Sequence, residues 1–108
     1  MRNIYSSIAF LSIASVAPVY ASPIDDANAA YDRGAYITAL RIYSLIADQG
    51  DAQAQTDLAE MYYNGRGVTQ NYAEAVKWYR LAAKQGLALA QSNLAVMYDN
   101  GQGVKQNF

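Results

Sequence analysis

The chain contains no cysteine and no histidine in 108 residues, and it has only two prolines. The absence of cysteine excludes disulfide bridges and thiolate chemistry, and the absence of both residues excludes the common zinc ligand sets. The formal net charge is −1, so the chain has neither the basic surface that attracts nucleic acid nor a polybasic membrane patch. We therefore predict no cofactor, no metal site and no nucleic-acid partner.

What the chain does contain is an internal repeat with a constant spacing of 36 residues, as in Gly65 and Gly101. The residues Ala54, Leu58, Ala59, Met61, Tyr62, Gly67, Val68, Gln70 and Asn71 all return at this spacing, as Ala90, Leu94, Ala95, Met97, Tyr98, Gly103, Val104, Gln106 and Asn107. A fixed period of this size is typical of stacked supersecondary units that bury their apolar faces against one another. The repeat therefore predicts a scaffold with a binding surface.

The N-terminal residues have the pattern of a secretion signal. Arg2 precedes an apolar stretch from Ile8 to Ala17, and Pro18 precedes Val19-Tyr20-Ala21. We predict a signal peptide over residues 1–21, cleaved after Ala21, and an exported protein in the bacterial periplasm or outside the cell. No stable membrane insertion is expected after cleavage, because the apolar run is too short to span a bilayer comfortably. A buried N-terminal helix or an uncleaved anchor is the alternative.

The remaining sequence predicts an all-α fold. Apolar residues at helical spacing predict a helix pair within residues 22–50, with helices over 24–33 and 36–49. Residues 51–86 form a complete repeat, in which Asp51 and Asn71 cap the two helices. Residues 87–108 form a partial repeat that has only the first helix and its loop. Each first helix is called an A helix here, and each second one a B helix.

The repeated residues of 51–108, together with Ala75, Trp78-Tyr79, Ala82-Ala83 and Gly86, resemble a Sel1-like repeat of the tetratricopeptide group. The family usually has glycine at the position of Ala59 and aspartate at that of Asn71. Residues 27–50 are more similar to a tetratricopeptide unit, because they lack the longer glycine loop. The resemblance implies a short α/α solenoid of antiparallel helix pairs. It also implies an adaptor that binds a protein or peptide along the concave face formed by the A helices.

The positions that differ between the two copies predict where a partner binds. Gln53, Glu60 and Tyr63 lie on the A helix away from its apolar stripe, and Val96 stands where the first copy has Glu60. We predict that these four residues face a partner, with an ordinary solvated surface as the alternative. Among the tyrosines, Tyr63 is expected to contact the ligand. Four others that recur in pairs are predicted to be core residues, namely Tyr43, Tyr79, Tyr62 and Tyr98.

We predict no catalytic residues. The chain contains no Ser-x-x-Lys spacing, and the adjacent Asp25 and Asp26 are expected to begin a helix and complement its dipole. Some cysteine-rich members of the Sel1-like group carry a β-lactamase label, so a hydrolase is the alternative function. This chain shares none of their cysteines, and a β-lactam hydrolysis assay would decide the question.

The chain ends at Phe108, one position into what would be a second B helix. The last A helix is then expected to expose Leu94, Ala95 and Tyr98 at the end of the solenoid. We predict that the sequence is a fragment of a longer reading frame. Self-association through this open end is the alternative.

Overall fold

The structure, a computed structural model, describes residues 22–105, so the predicted signal peptide and the last three residues lie outside the described part. Within this part the chain forms five α-helices and no strand. They are α1 (Pro23–Asp32), α2 (Tyr36–Asp48), α3 (Ala52–Asn64), α4 (Tyr72–Lys84) and α5 (Ala88–Asn100). Helices α1, α3 and α5 are the A helices, and α2 and α4 are the B helices. The prediction of an all-α solenoid is confirmed.

Each helix packs against the next one in the chain, as expected when short loops join consecutive helices. The loop between α1 and α2 covers residues 33–35, whereas that between α3 and α4 covers residues 65–71. The first helix pair therefore has a loop that is four residues shorter than that of the second pair. This difference sets how positions in α1 align with positions in α3.

Side-chain caps explain where three of the helices begin. Ser22 and Asp25 form a reciprocal capping box at α1, so the prediction that this acidic pair begins a helix is confirmed. The Asp51 carboxylate accepts a hydrogen bond from the backbone N–H of Ala54, at 2.8 Å. The Asn71 side chain accepts one from the backbone N–H of Glu74, at 3.0 Å. Each cap satisfies a backbone donor that has no partner within its own helix.

Small residues bring the helices close together, since the most deeply buried positions are mainly alanines. Two core clusters form. The first lies among α1, α2 and α3, and the second among α3, α4 and α5. The fully buried alanines are Ala27, Ala30, Ala39, Ala54, Ala59, Ala75, Ala82 and Ala90. Larger side chains fill the spaces that the alanines leave, as dense packing requires.

The predictions for the core tyrosines are confirmed in part. Tyr43 and Tyr79 are each only 3% exposed, and Tyr62 is half-buried between the two clusters. Tyr98 is 37% exposed, so its assignment to the core was wrong. Tyr62 packs against core residues with α4 following it, and within residues 22–105 no helix follows α5 to cover Tyr98. Of the three residues expected to be exposed at the end of the solenoid, Ala95 and Tyr98 are exposed, whereas Leu94 is half-buried and packs against the second cluster.

The loop glycines hold successive helix pairs together. Gly67 has φ +73°, and a Cβ atom added to it would lie 2.7 Å from the carbonyl oxygen of Tyr36 at the start of α2. Gly103 has φ +70°, and its Cβ would lie 2.5 Å from the backbone of Tyr72 at the start of α4. Only glycine permits both this backbone conformation and this close approach. The loop of each repeat is therefore seated on the B helix of the preceding one.

Two glutamines make a second type of link between repeats. The side-chain amide of Gln55 donates to the carbonyl oxygen of Ala47, and that of Gln91 donates to the carbonyl oxygen of Ala83. Both acceptors lie in the last turn of a B helix, where carbonyl oxygens have no partner within the helix. No helix of the described residues is long and apolar enough to cross a membrane.

Candidate functional site

Two neighbouring cavities lie along the A helices. The first cavity has a volume of about 340 Å³ and is lined by Asn28, Tyr31, Asp32, Tyr43, Asp57 and Glu60. The second cavity has a volume of about 230 Å³ and is lined by Glu60, Tyr63, Asn64, Tyr79, Asn93, Val96 and Met97. Glu60 belongs to both, so the two cavities are adjacent parts of one groove.

The two cavities are built from the same repeat positions. Each has one A helix on one side, the next A helix on the other, and a buried tyrosine of the intervening B helix between them. Once the shorter first loop is allowed for, six positions correspond. In the order of the chain they are Asn28, Tyr31, Asp32, Tyr43, Asp57 and Glu60, matched by Glu60, Tyr63, Asn64, Tyr79, Asn93 and Val96. The groove therefore repeats with the solenoid. The helix positions that form each cavity, which we call its frame, stay the same, whereas several of the side chains at these positions differ.

The first cavity is acidic around a tyrosine. The Tyr43 hydroxyl donates a hydrogen bond to the side-chain oxygen of Asn28. Burial raises the pKa of Tyr43 well above its usual range, and the nearby Asp57 carboxylate raises it further. Burial also raises the pKa of Asp57 to about 6, although the Gln53 amide, which donates to this carboxylate at 3.2 Å, lowers it. With Asp32 and Glu60, three carboxyl groups line this cavity.

The second cavity replaces two of these carboxyl groups by amides and one by an alkyl group. Asn93 stands at the position of Asp57, and its side chain hydrogen-bonds to the Tyr79 hydroxyl. Burial raises the pKa of Tyr79 well above its usual range. Val96, which is 52% exposed, takes the place of Glu60 and adds an apolar wall. Glu60 is the one carboxylate that lines this cavity.

The rims of the cavities also follow the repeat. At the first, the rings of Tyr31 and Tyr36 meet edge to face with centroids 5.1 Å apart, and the Arg66 guanidinium lies over both rings. Arg66 also donates a hydrogen bond to the Tyr31 hydroxyl.

At the second rim, the rings of Tyr63 and Tyr72 have centroids 5.1 Å apart. Gln102 occupies the position of Arg66 there, and its side-chain oxygen accepts a hydrogen bond from the Tyr63 hydroxyl at 3.3 Å. The rim cation of the first cavity is thus replaced by a neutral amide at the second.

The structure brings three of the four predicted partner-facing residues together. Glu60, Tyr63 and Val96 line the second cavity. Gln53 is exposed and lines neither cavity, but its amide contacts Asp57 in the first. Whether any of these residues contacts a partner stays a prediction.

Of the residues that line the first cavity, the sequence predicted only Glu60 as a site residue, because Tyr43 was assigned to the core and no residue of α1 was proposed for a site. Aligning α1 with α3 while omitting four loop residues would have matched Tyr31-Asp32 with Tyr63-Asn64.

Within residues 22–105 no group of three or more acidic residues is placed to hold a metal ion.

Comparison with known families now assigns the fold. The Sel1 repeat family model matches residues 52–87 and 88–108, which is just over half of the chain. The chain therefore belongs to the Sel1 repeat family. This family consists generally of scaffolds for protein–protein interaction that have no catalytic activity.

The solved structures that are similar to the chain include the following two. One is a Sel1 repeat protein from Oxalobacter formigenes, with 39% identity over 66% of this chain and a TM-score of 0.64. The other is a protective antigen present in uropathogenic Escherichia coli strains, which displays an SLR fold and has 42% identity over 67% of this chain and a TM-score of 0.66. The chain covers 29% of the first structure and 15% of the second, so it spans less than a third of either. Comparison with the curated proteins finds no match.

Proposed function

We propose that this protein is an exported adaptor that binds a segment of a partner protein in the groove along its A helices. The observation that carries the proposal is the repetition of one cavity frame in two adjacent places. Each frame presents a half-buried tyrosine at its edge and a buried tyrosine at its base. Tyrosine offers a large apolar contact and a hydroxyl that forms hydrogen bonds, with few torsions to restrict on binding.

The side chains that face the groove also support this function. They vary between repeats at positions 57/93 and 60/96, whereas the tyrosines at positions 43/79 do not vary. In a solenoid the repeated residues build the scaffold, and the varying residues on the concave surface give each cavity a different preference. A partner segment that lies across both cavities would therefore place one side chain in each, and each cavity would select that side chain separately.

The binding proposal is tested by selecting peptides on the immobilised protein and then measuring their affinities for variants. Val96→Glu places a charge in the second cavity at a position that is 52% exposed, so the fold is expected to tolerate it. The matched control is Leu45→Glu on α2, which alters a side chain that is 61% exposed and lines neither cavity. We expect Val96→Glu to weaken the selected peptides and Leu45→Glu to leave their affinity unchanged. Equal effects of the two variants would contradict binding in the groove.

Export is proposed on the pattern of residues 1–21 and is tested separately. A fusion of residues 1–30 to a reporter enzyme that is active only outside the cytoplasm is expected to give activity. Replacing Ile13 and Val16 by aspartate in the apolar stretch is expected to remove it. The position of the cleavage site is then read from the N-terminal sequence of the exported protein, which we expect to begin at Ser22.

A further inference from the structure

The difference in charge between the two cavities indicates what kind of side chain each one receives. We propose that the first cavity receives the guanidinium group of an arginine in the bound segment, whereas the second receives an uncharged side chain. The inference rests on the proposed function, because it names the chemistry of a segment that binds in the same groove. It commits to a protein segment with an arginine, rather than to a free ion.

The first cavity carries an excess of negative charge. Asp32, Asp57 and Glu60 all line it, and no basic residue does. Asp57 is held in surroundings that disfavour its ionised form. A cation that enters would offset this penalty and gain from an environment in which charges are less screened than in water.

The volume of the cavity and the spread of its carboxyl groups favour a cation of a particular size and shape. The three carboxyl groups share a cavity of about 340 Å³, but they are not grouped in a way that could hold a metal ion. Carboxylates distributed around a space of this volume suit a planar group with several donors. The guanidinium of arginine has five N–H donors in a fixed arrangement, so it can bond to more than one carboxylate at once.

One wall of the cavity already binds a guanidinium. Arg66 of the chain itself lies over the Tyr31 ring, 5.6 Å from its centroid, and bonds to its hydroxyl. Arg66 occupies the outer rim and does not line the cavity. The contact shows that the aromatic wall at Tyr31 is compatible with guanidinium binding, through the attraction between a cation and a ring face.

The second cavity has one carboxylate, Glu60, where the first has three, and it provides an internal reference. Its equivalents of Asp32, Asp57 and Arg66 are Asn64, Asn93 and Gln102, and Val96 adds an apolar surface. The double variant Asp32→Asn/Asp57→Asn therefore gives the first cavity the amides that the second cavity already has. The fold is expected to accept these amides because the same frame already holds them.

The experiment uses two probes of the same shape, N-acetyl-arginine N-methylamide and its uncharged citrulline counterpart. Each is titrated into the purified protein while backbone amide resonances are followed by NMR. We expect saturable shifts for arginine that centre on Asp57 and Glu60, and at least roughly tenfold weaker binding of citrulline. The double variant should bind the arginine probe at least roughly tenfold more weakly than the original protein. The reciprocal variant Asn64→Asp/Asn93→Asp should gain an arginine response around Tyr79.

Equal binding of the two probes, shifts located away from the first cavity, or unchanged binding by a folded double variant would each overturn the inference. If the double variant does not fold, the reciprocal variant and the comparison of the two probes still decide. The outcome is separable from that of the proposed function. If peptides bind in the groove without needing an arginine, the adaptor function is supported and the arginine preference is contradicted. Failure to select any peptide would count against the adaptor itself.

Discussion

The two cavities of the groove are built from the same repeat positions but differ in the charge of their lining. In both, a tyrosine of a B helix is 3% exposed and meets an amide of a neighbouring A helix, Asn28 in one case and Asn93 in the other. The first cavity surrounds this tyrosine with three carboxyl groups, whereas the second has one carboxylate, Glu60, together with amides and a valine. The difference teaches that the scaffold and the charge of the groove lining are encoded by separate sets of positions.

Separation of the two sets follows from the geometry of the repeat. Alanines and the two buried tyrosines set the distance between helices, so a change there would alter packing on both sides. Positions 57/93 and 60/96 face the groove, so a change there alters charge without moving the helices. A solenoid can therefore vary what it binds from repeat to repeat at little structural cost.

The largest expected effect comes from displacing the loop between α3 and α4, which is seated on the start of α2. Gly67→Ala introduces a Cβ atom 2.7 Å from the Tyr36 carbonyl oxygen at a residue with φ +73°. We expect a loss of about 3 kcal/mol in the free energy of unfolding, from backbone strain and a collision with backbone atoms. The measurement is urea denaturation followed by circular dichroism.

Gly50→Ala is the matched control for this variant, because Gly50 also has a positive φ, +98°, but nothing lies within 4 Å of its added Cβ. We expect it to cost only about 1 kcal/mol, from the backbone conformation alone. Equal losses for the two variants would show that the loop of one repeat is not seated on the preceding B helix.

Asp57 gives the next largest expected effect, and it is a gain. Its folded pKa of about 6 lies above the ordinary value of 3.8, so the protonated form stabilises the fold. This contribution is complete below about pH 4 and is lost as the pH rises through about 6. The groups near Asp57 are Gln53 and Glu60 on its own helix, Asp51 at the N-cap of that helix, Tyr43 on α2, Tyr79 on α4 and, across the cavity, Asp32 on α1.

Asp57→Asn copies the residue of the second cavity and removes the ionisation. We expect it to raise the free energy of unfolding at pH 7 by about 1–2 kcal/mol, less than the full pKa shift implies because the carboxyl group is partly solvated. Near pH 4 the variant and the original protein should be equally stable. Denaturation at both pH values provides the measurement, and a stability difference that did not change with pH would contradict the assignment. A residue that lowers stability at pH 7 is typical of a position kept for binding.

Much of this fold was predictable from the sequence, because helix ends and the core leave local signals. The first two helices begin and end within one residue of their predicted bounds, and Asp51 and Asn71 cap as expected. The first cavity was not predictable in the same way. It depends on bringing α1, α2 and α3 together, and the shorter loop after α1 breaks the spacing of 36 residues that identifies equivalent positions.

Tyr98 shows the second limit of the sequence pattern. A repeated position has the same local helix face in every copy, but its burial depends on what packs against that face. Tyr62 lies between two core clusters, whereas Tyr98 is 37% exposed and contacts Arg80 through its hydroxyl and its ring. Repetition in the sequence predicts which helix face a residue occupies, whereas its burial depends on the neighbouring helices that the three-dimensional structure shows.

Removing the hydroxyl groups of the two buried tyrosines is expected to lower stability by a smaller amount, which differs between the two cavities. Tyr79→Phe removes the partner of Asn93, which is half-buried, and we expect a loss of about 1 kcal/mol. Tyr43→Phe removes the partner of Asn28, which is exposed and can bond to water instead. The expected loss there is about 0.5 kcal/mol. Thermal and urea denaturation of both variants test the order, and a larger loss for Tyr43→Phe would contradict it.

The smallest expected effect is at the rim. Arg66→Gln gives the first cavity the amide that Gln102 supplies to the second, and it removes a cation from the rim beside Tyr31. Because Arg66 is exposed and its charge is screened by solvent, we expect almost no change in stability. Binding of an arginine side chain in the first cavity should become about two- to threefold tighter, since a like charge is removed from its edge. The measurement is the NMR titration with N-acetyl-arginine N-methylamide, with Arg41→Gln on α2 as a control that lies outside the lining of both cavities. Weaker binding by Arg66→Gln would instead mean that Arg66 and Tyr31 hold the wall in the shape that the incoming guanidinium requires.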